Sequence, residues 1–528
     1  MVKPFRVFLL LVLLILFLSG IALLLPTGGI YIYSYKLKYP SVWEFFSVDT
    51  SKSLSINELR PDIVKLNAML DSIQEISILD TAWLESDTTL TLISDTVQVE
   101  KKTITIPDSI SPNELRSRIV SIEYPDSTKK ALSPFFDALS SGLPSKSLIH
   151  VLHYGDSQIE GDRITSYLRS RMQQRFGGRG VGLLHLVPHS YQPGSIRQSS
   201  TSNWEKIVLV DLPKGIGLGH KFGVLGGYSF FGKSKGILSR GGFNEASVTI
   251  QRLGKATLSR SFSRVRLLYG YSSEPFMASV SAGGMVIDAE MVSPTKGINQ
   301  LIFDTPNEHS TLKLEFKGDE SPLFYGISLE SKTGVMVDNI ALRGSSGTDF
   351  TRANEADLMV FYKTLNVRLI ILQFGANLVP HVVESYTYYE NQLYRQIEAL
   401  KRAKPDAAIL VIGVSDASKK EGSNFMSYPN IEKIRNAQRN AAKRAGAAFW
   451  DCYEAMGGQN SMPAWVKANP PLASKDYVHF SPRGANLIAE MFYSALFGEY
   501  EKYISNIAKE SEGLGRSSTS LNSEESNN

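Results

Sequence analysis

Two kinds of hydrophobic pattern divide the chain. Short, nearly continuous apolar runs recur at 147–153 (SLIHVLH), 335–342 (VMVDNIAL), 369–374 (LIILQF), 406–414 (DAAILVIGV) and 447–451, as expected of strands buried on both faces. Helical periodicity separates or follows them at 129–140, from Asp162 through Arg175, at 384–402, at 431–444 and at 485–503. Alternating strand and helix elements imply a three-layer α/β domain around a parallel sheet. Residues 203–333 follow another rule: apolar and polar positions alternate in Thr311–Lys317 (TLKLEFK) and in Val265–Tyr269, with a hairpin turn expected at Gly283-Gly284. That is the period of half-buried strands. A β-sandwich is therefore expected at 203–333.

The N-terminus carries a third pattern. Lys3 and Arg6 precede an uncharged run from Val7 to Leu25, ended by Pro26. Nineteen helical residues span roughly 28 Å, close to the thickness of a bilayer core. The run lacks a small-residue cleavage site, so an uncleaved anchor is expected over residues 1–29. Basic residues ahead of it place the rest of the chain on the far side of the membrane. From Ile30 to Ser141 there is no glycine, although the chain holds 41, and Ser, Thr, Asp and Ile dominate. Residues 30–126 are expected to form a stalk. Residues 509–528 (KESEGLGRSSTSLNSEESNN) have the polar composition of a disordered tail.

Charge and cysteine content exclude some functions. With 56 Lys+Arg against 52 Asp+Glu the net charge is only +4, without a long basic cluster, so nucleic acid is not an expected partner. The single cysteine, Cys452, rules out an intramolecular disulfide framework and a cysteine-based zinc cluster.

Four segments carry candidate chemistry. The run at 147–153 leads into Gly155-Asp156-Ser157-Gln158, which places Ser157 at a strand-to-helix turn, where backbone N–H groups can meet a developing oxyanion. Asp476 stands three residues before His479 and can hold one imidazole nitrogen, leaving the other to take a proton. Asn377 follows the run at 369–374, and Gly344 follows the run at 335–342; an amide side chain and a backbone N–H there are candidate oxyanion donors. Each segment alone also fits a plain turn or helix cap. Glu160 and Asp162 are expected to cap the helix after Ser157, and His381 is the one rival base.

Gly155-Asp156-Ser157, Asn339 through Gly344, Gly375-Ala376-Asn377 and Asp476-x-x-His479 resemble, in that order, the four blocks of the SGNH/GDSL hydrolase superfamily, over about residues 145 to 505 apart from an insertion. The resemblance implies Ser157 as nucleophile, His479 as base and Asp476 as its orienting partner. The Ser157 N–H, the Gly344 N–H and the Asn377 side chain are the implied oxyanion hole. No cofactor or metal is implied. The fuller strings HYGDSQIEGDRIT, FGAN, GGQNSMPAW and DYVHFSPRGA are similar to peptidoglycan O-acetylesterase-type enzymes of the bacterial envelope, which carry a β-rich, carbohydrate-binding-like insertion between the first and second blocks. Here 186 residues separate Ser157 from Gly344, far more than one crossover helix needs. The expected organisation is a hydrolase domain at 127–202 and 334–508 interrupted by the sandwich at 203–333, whose exposed aromatics would contact polymer. The resulting expectation is an esterase anchored in the bacterial inner membrane, facing the periplasm and acting on O-acyl, foremost O-acetyl, groups of a glycan. A glycan O-acetyltransferase with the same triad and a non-catalytic glycan-binding envelope protein are the alternatives.

Overall fold

The computed structural model describes residues 30–32, 35–37 and 120–524, apart from 189–192, 213–220, 233–243, 255–257, 259–260 and 306–309. The Val7–Leu25 run and most of the expected stalk lie outside these residues. Among the described residues no helix is long and apolar enough to cross a membrane. The chain divides into two units, 1–59 and 60–528. In the first, Ile30–Ile32 pairs antiparallel with Tyr35–Leu37.

In the second unit, the apolar runs form a five-stranded parallel sheet. Its order is Gly334–Ala341, Leu148–Gly155, Val367–Gln373, Ala408–Ile412, Ala448–Trp450. All eight residues of Leu148–Gly155 are buried, because helices cover both faces of the sheet. Thr387–Ala403 and Ile431–Arg444 present Leu393, Ile397, Leu400, Ile434 and Ala441 to the core. The first strand lies between the second and third, with Gly155 in register with both Ala341 and Gln373. The carboxyl ends of three strands therefore meet at one place.

The residues between the first two of these strands form two antiparallel sheets. One has the order 285–292, 276–282, 311–318, 244–252, 196–200, and the other 295–304, 264–272, 323–330, 227–231, 204–208, with 182–184 added against 323–330. Phe276, Val280, Leu314 and Phe316 of the first share a buried cluster with Trp204, Leu267, Phe303 and Phe324 of the second. Gly283 and Gly284 make the expected hairpin turn, both at positive φ. Strand 264–272 breaks the expected alternation. Its Leu267 enters the cluster between the sheets while Leu268 joins the core of the parallel-sheet domain, so both faces are buried.

Several boundaries differ from expectation. Strands 182–184 and 196–200 precede residue 203, and pair with strands far along the chain. Trp204, Phe231, Phe276, Phe303, Phe316 and Phe324 turn inward to fill the core between the two sheets, and among the described residues the exposed large hydrophobic side chains of the unit are Met285, Val286, Met291 and Ile302. Residues 120–126, expected in the stalk, begin the folded domain. The Glu123 N–H and C=O pair with Phe449 at 2.8 and 2.9 Å, and the Trp450 indole donates to Val120 O at 3.0 Å. This segment satisfies backbone groups of the outermost parallel strand, which would otherwise be an open edge. At the other end the last helix runs from Pro482 to Glu524, past the expected tail boundary at 509. No proline interrupts it there, so intrahelical hydrogen bonds continue beyond the last buried turn.

Candidate active site

The site forms where strands 334–341, 148–155 and 367–373 end side by side. Gly155 closes strand 148–155. A Cβ there would lie 2.8 Å from Gln373 O and 2.9 Å from the Ile159 side chain, so only glycine allows the chain to turn this tightly between its neighbours. The Leu342 N–H donates to Gly155 O at 2.7 Å, and the Asp156 N–H to Gln373 O at 3.2 Å, which carries the sheet pairing into the turn.

Asp156 is fully buried and ties two loops together. Its carboxylate accepts the Gln158 N–H at 3.0 Å and the Ala376 N–H at 3.1 Å. Burial pushes its pKa up to about 6, although the backbone N–H groups of Gln158, Ala376 and Gly375 and the nearby His479 pull the other way. The turn that presents Ser157 is thereby fastened to the turn that presents Asn377.

Ser157 Oγ lies 2.8 Å from His479 Nε2, and His479 Nδ1 lies 2.8 Å from Asp476 Oδ2. The other carboxylate oxygen, Asp476 Oδ1, accepts the N–H groups of Val478 and His479, each at 3.0 Å. Partial burial raises the pKa of Asp476, but these N–H groups and the imidazole outweigh it and hold the carboxyl below its usual range. Asp476 is thus a charged acceptor that directs the Nδ1 proton toward itself and leaves Nε2 facing the serine hydroxyl. The pair opens to solvent, with His479 27% and Asp476 50% exposed.

Gly344 and Asn377, expected to supply oxyanion donors, follow the two strands that flank the strand before Ser157. Asn377 Nδ2 donates to Ser345 O at 2.9 Å, which engages one of its two amide N–H groups and leaves the second. Gly344 has φ 84° and nothing within 4 Å of a Cβ position, so its backbone borders open space. Among the described residues the Ser157 and Gly344 N–H groups make no hydrogen bond. The loop between Gly344 and Asp349 is held by Ser345, whose hydroxyl donates to Asp349 at 2.6 Å and accepts the Gly347 N–H at 2.9 Å.

Other residues take different places from those expected. Asp162 does not cap a helix. It sits at φ 67° and makes a buried two-point pair with Arg169 at 2.6 and 2.8 Å, while the following helix begins only at Thr165. Glu160 lies in the intervening 3₁₀ turn. His381 is exposed, with its backbone in a turn after Leu378. Gln158, which the motif alone does not single out, is buried; its Nε2 donates to Val478 O at 2.6 Å and to Ser415 Oγ at 3.1 Å, and its Oε1 accepts the Phe480 N–H at 3.4 Å. Gln373 is a second such residue, with Oε1 3.0 Å from His153 Nε2 on the adjacent strand. No three His, Cys, Asp or Glu side chains converge as a metal-binding group among the described residues.

Residues 312–487, which include Gly344, Asn377, Asp476 and His479, match the model of the GDSL-like lipase/acylhydrolase family. These residues carry a GDSL-like lipase/acylhydrolase domain. The match begins within the two-sheet unit, in strand 311–318, and the Ser157 strand lies ahead of it in the chain. No curated protein sequence matches the chain. Among solved structures, a peptidoglycan O-acetylesterase is similar to the hydrolase at TM-score 0.55 and 22% identity, over 72% of this chain and 99% of that one. A family two carbohydrate esterase from Clostridium thermocellum in complex with cellohexaose gives TM-score 0.22 at 10% identity, over 48% of this chain and 92% of its own. An acetyl xylan esterase gives TM-score 0.22 at 18% identity, over 30% and 81%. The first of these likenesses establishes the SGNH-type α/β fold of the hydrolase.

Proposed function

We propose that the protein is an envelope-anchored serine esterase that removes O-acyl groups, O-acetyl foremost, from a cell-wall glycan. The observation that carries the reading is the continuous chain Ser157 Oγ, His479 Nε2, His479 Nδ1, Asp476 Oδ2, with 2.8 Å at each hydrogen bond. Ser157 attacks the ester carbonyl as its proton passes to His479. The imidazolium that forms is stabilised by Asp476, whose low pKa keeps it charged. The Ser157 N–H, the Gly344 N–H and the free Asn377 N–H receive the carbonyl oxygen as it becomes an oxyanion. His479 returns the proton to the sugar oxygen as its bond to the acyl carbon breaks, which releases the sugar hydroxyl, and a water then hydrolyses the acyl-enzyme by the same route.

The choice of an acetylated glycan is supported by the likeness to a peptidoglycan O-acetylesterase. In this reading the two antiparallel sheets are an inserted β-sandwich, carbohydrate-binding in type, which stands beside the site and presents polymer to it. The Val7–Leu25 run, preceded by Lys3 and Arg6, is the anchor that leaves the hydrolase on the periplasmic side.

The test incubates the full chain in detergent with acetylated peptidoglycan and with other acetylated glycans, and follows free acetate. Acetate release that disappears in Ser157→Ala, with the fold intact, is the expected result. Activity that survives the substitution would eliminate the covalent mechanism. Acyl groups recovered on an added sugar hydroxyl, in place of free acetate, would make the protein a transferase.

A further inference from the structure

Nucleophile and base come from segments 322 residues apart, yet the reaction needs them within a hydrogen bond of each other twice, once to form the acyl-enzyme and once to hydrolyse it. Among the described residues, two kinds of direct hydrogen bond join the turn at 156–159 to the loop at 476–481. One is the Ser157–His479 bond itself. The other is the set made by the Gln158 side chain to Val478 O and from the Phe480 N–H, on the two residues that flank His479. Gln158 is only 3% exposed, and Ser415 Oγ accepts from its amide as well, so the side chain has its orientation fixed from three directions. Asp476 belongs to the same loop as His479 and moves with it. The Ser418 N–H to Tyr477 O bond, at 2.9 Å, anchors that loop to a different segment, not to the nucleophile's turn.

We infer that Gln158 is a positioning residue that keeps His479 in register with Ser157 in the acyl-enzyme. This rests on the serine-esterase reading above. In the free enzyme the serine hydroxyl donates to His479 Nε2 and helps to hold the loop. Acylation replaces that hydrogen by the acyl group, and the Ser157 contribution is lost while the Gln158 contacts persist. His479 must then take a proton from water as the water oxygen bonds to the acyl carbon. The bond from that carbon to Oγ breaks next, and the proton passes to Oγ, which regenerates the hydroxyl and frees the carboxylic acid. Deacylation is therefore the half-reaction that depends most on Gln158.

The substitution that isolates this role is Gln158→Met, close in length and without the amide. With the full chain and an aryl acetate, kcat falls about 10- to 100-fold, the scale of loss from a misplaced reacting group. KM falls in parallel, so kcat/KM stays within about threefold of the original, because slow hydrolysis of an acyl-enzyme lowers both. Aryl alcohol appears in a burst of about one equivalent before the slowed steady state. Gln158→Glu retains the acceptor for the Phe480 N–H and lies between the two; it carries the test if the Met variant does not fold. A purely structural role would lower burst amplitude and kcat together and leave KM unchanged, and that result would overturn the inference, as would an unaltered kcat. Activity persisting in Ser157→Ala would instead remove the esterase reading. An inactive Ser157→Ala beside a Gln158→Met with no parallel fall of kcat and KM removes only the role of Gln158.

Discussion

Asn377 has two amide N–H groups. One donates to Ser345 O, which fixes the loop that begins at Gly344, and in the proposed esterase mechanism the other is the oxyanion donor. Asn377→Ala removes a donor that matters mainly in the transition state. We expect kcat to fall about 10²- to 10³-fold with little change in KM. Because the same amide secures the Gly344 loop, the loss should lie toward the upper end of that range. A raised KM with unchanged kcat, measured on a small aryl ester, would make Asn377 a substrate-binding residue instead. The sequence shows this asparagine just past a strand but cannot tell a donor from an ordinary turn residue. The distinction comes from what lies opposite its amide, and Ser345 is distant in sequence.

At the scale of an element, His153 in strand 148–155 and Asp156 in the turn after it are buried titrating groups with opposite effects. His153 is fully buried, and desolvation pulls its pKa down to about 4. As an imidazole kept neutral in the fold, it accepts from the Thr165 hydroxyl through Nδ1 and donates to Gln373 Oε1 through Nε2, both at 3.0 Å. Asn339 Nδ2 donates to the same hydroxyl at 2.7 Å, so one chain of hydrogen bonds links three adjacent strands and the helix behind them. Between about pH 6.5 and 4 the unfolded chain binds a proton at His153 that the native state refuses, so stability falls as pH falls. Asp156, raised to about 6, does the reverse: the native state takes up its proton before the unfolded chain does, and stability rises as pH falls below 6. In Asp156→Asn only the histidine contribution remains. The variant should lose about 2 kcal/mol more stability than the parent chain between pH 7 and pH 4.5. Urea unfolding at the two pH values measures this, and equal losses would show that Asp156 titrates near its unfolded value.

For the molecule as a whole, the junction between the two-sheet unit and the parallel-sheet domain decides cooperativity. Arg266 Nε and Nη2 donate to Glu330 Oε1 at 2.9 and 2.7 Å, and Arg266 Nη1 also donates to Gln300. Across the junction, His150 Nε2 lies 3.6 Å from Glu330 Oε2 and the Leu183 N–H donates to Asp338 at 2.8 Å, while within the parallel sheet His150 Nδ1 lies 2.6 Å from Asp338. The charged groups are almost wholly buried, and apolar packing of Leu268 and Tyr325 with Leu342 and Phe361 surrounds the same boundary. Arg266→Leu leaves the Glu330 carboxylate buried without its cation, a change that costs about 3–5 kcal/mol. The two parts should unfold in one transition before and after the substitution. Separate transitions, or a loss below about 1 kcal/mol in denaturant titrations, would show that the junction does not couple them.

The sequence by itself determined what depends on local pattern. Continuous apolar runs separated by helical periods are enough to give a parallel α/β sheet, because strands covered on both faces have no polar side to display. The candidates Ser157, Gly344, Asn377, Asp476 and His479 were legible for a related reason: each follows a strand or lies in a loop, and each belongs to a block with its own residue order. Tertiary structure decided whatever depends on what is brought opposite. Gln158 and Gln373 are ordinary polar residues until folding sets them against Val478, Phe480 and His153. Asp162 reads as a helix cap, and only the placement of Arg169 gives it a buried partner. The segment around Glu123 reads as stalk because two backbone hydrogen bonds to Phe449 leave no periodicity in the residues that make them. Periodicity records which face of an element meets apolar surroundings; it contains nothing about which partner, hundreds of residues away, completes a polar contact.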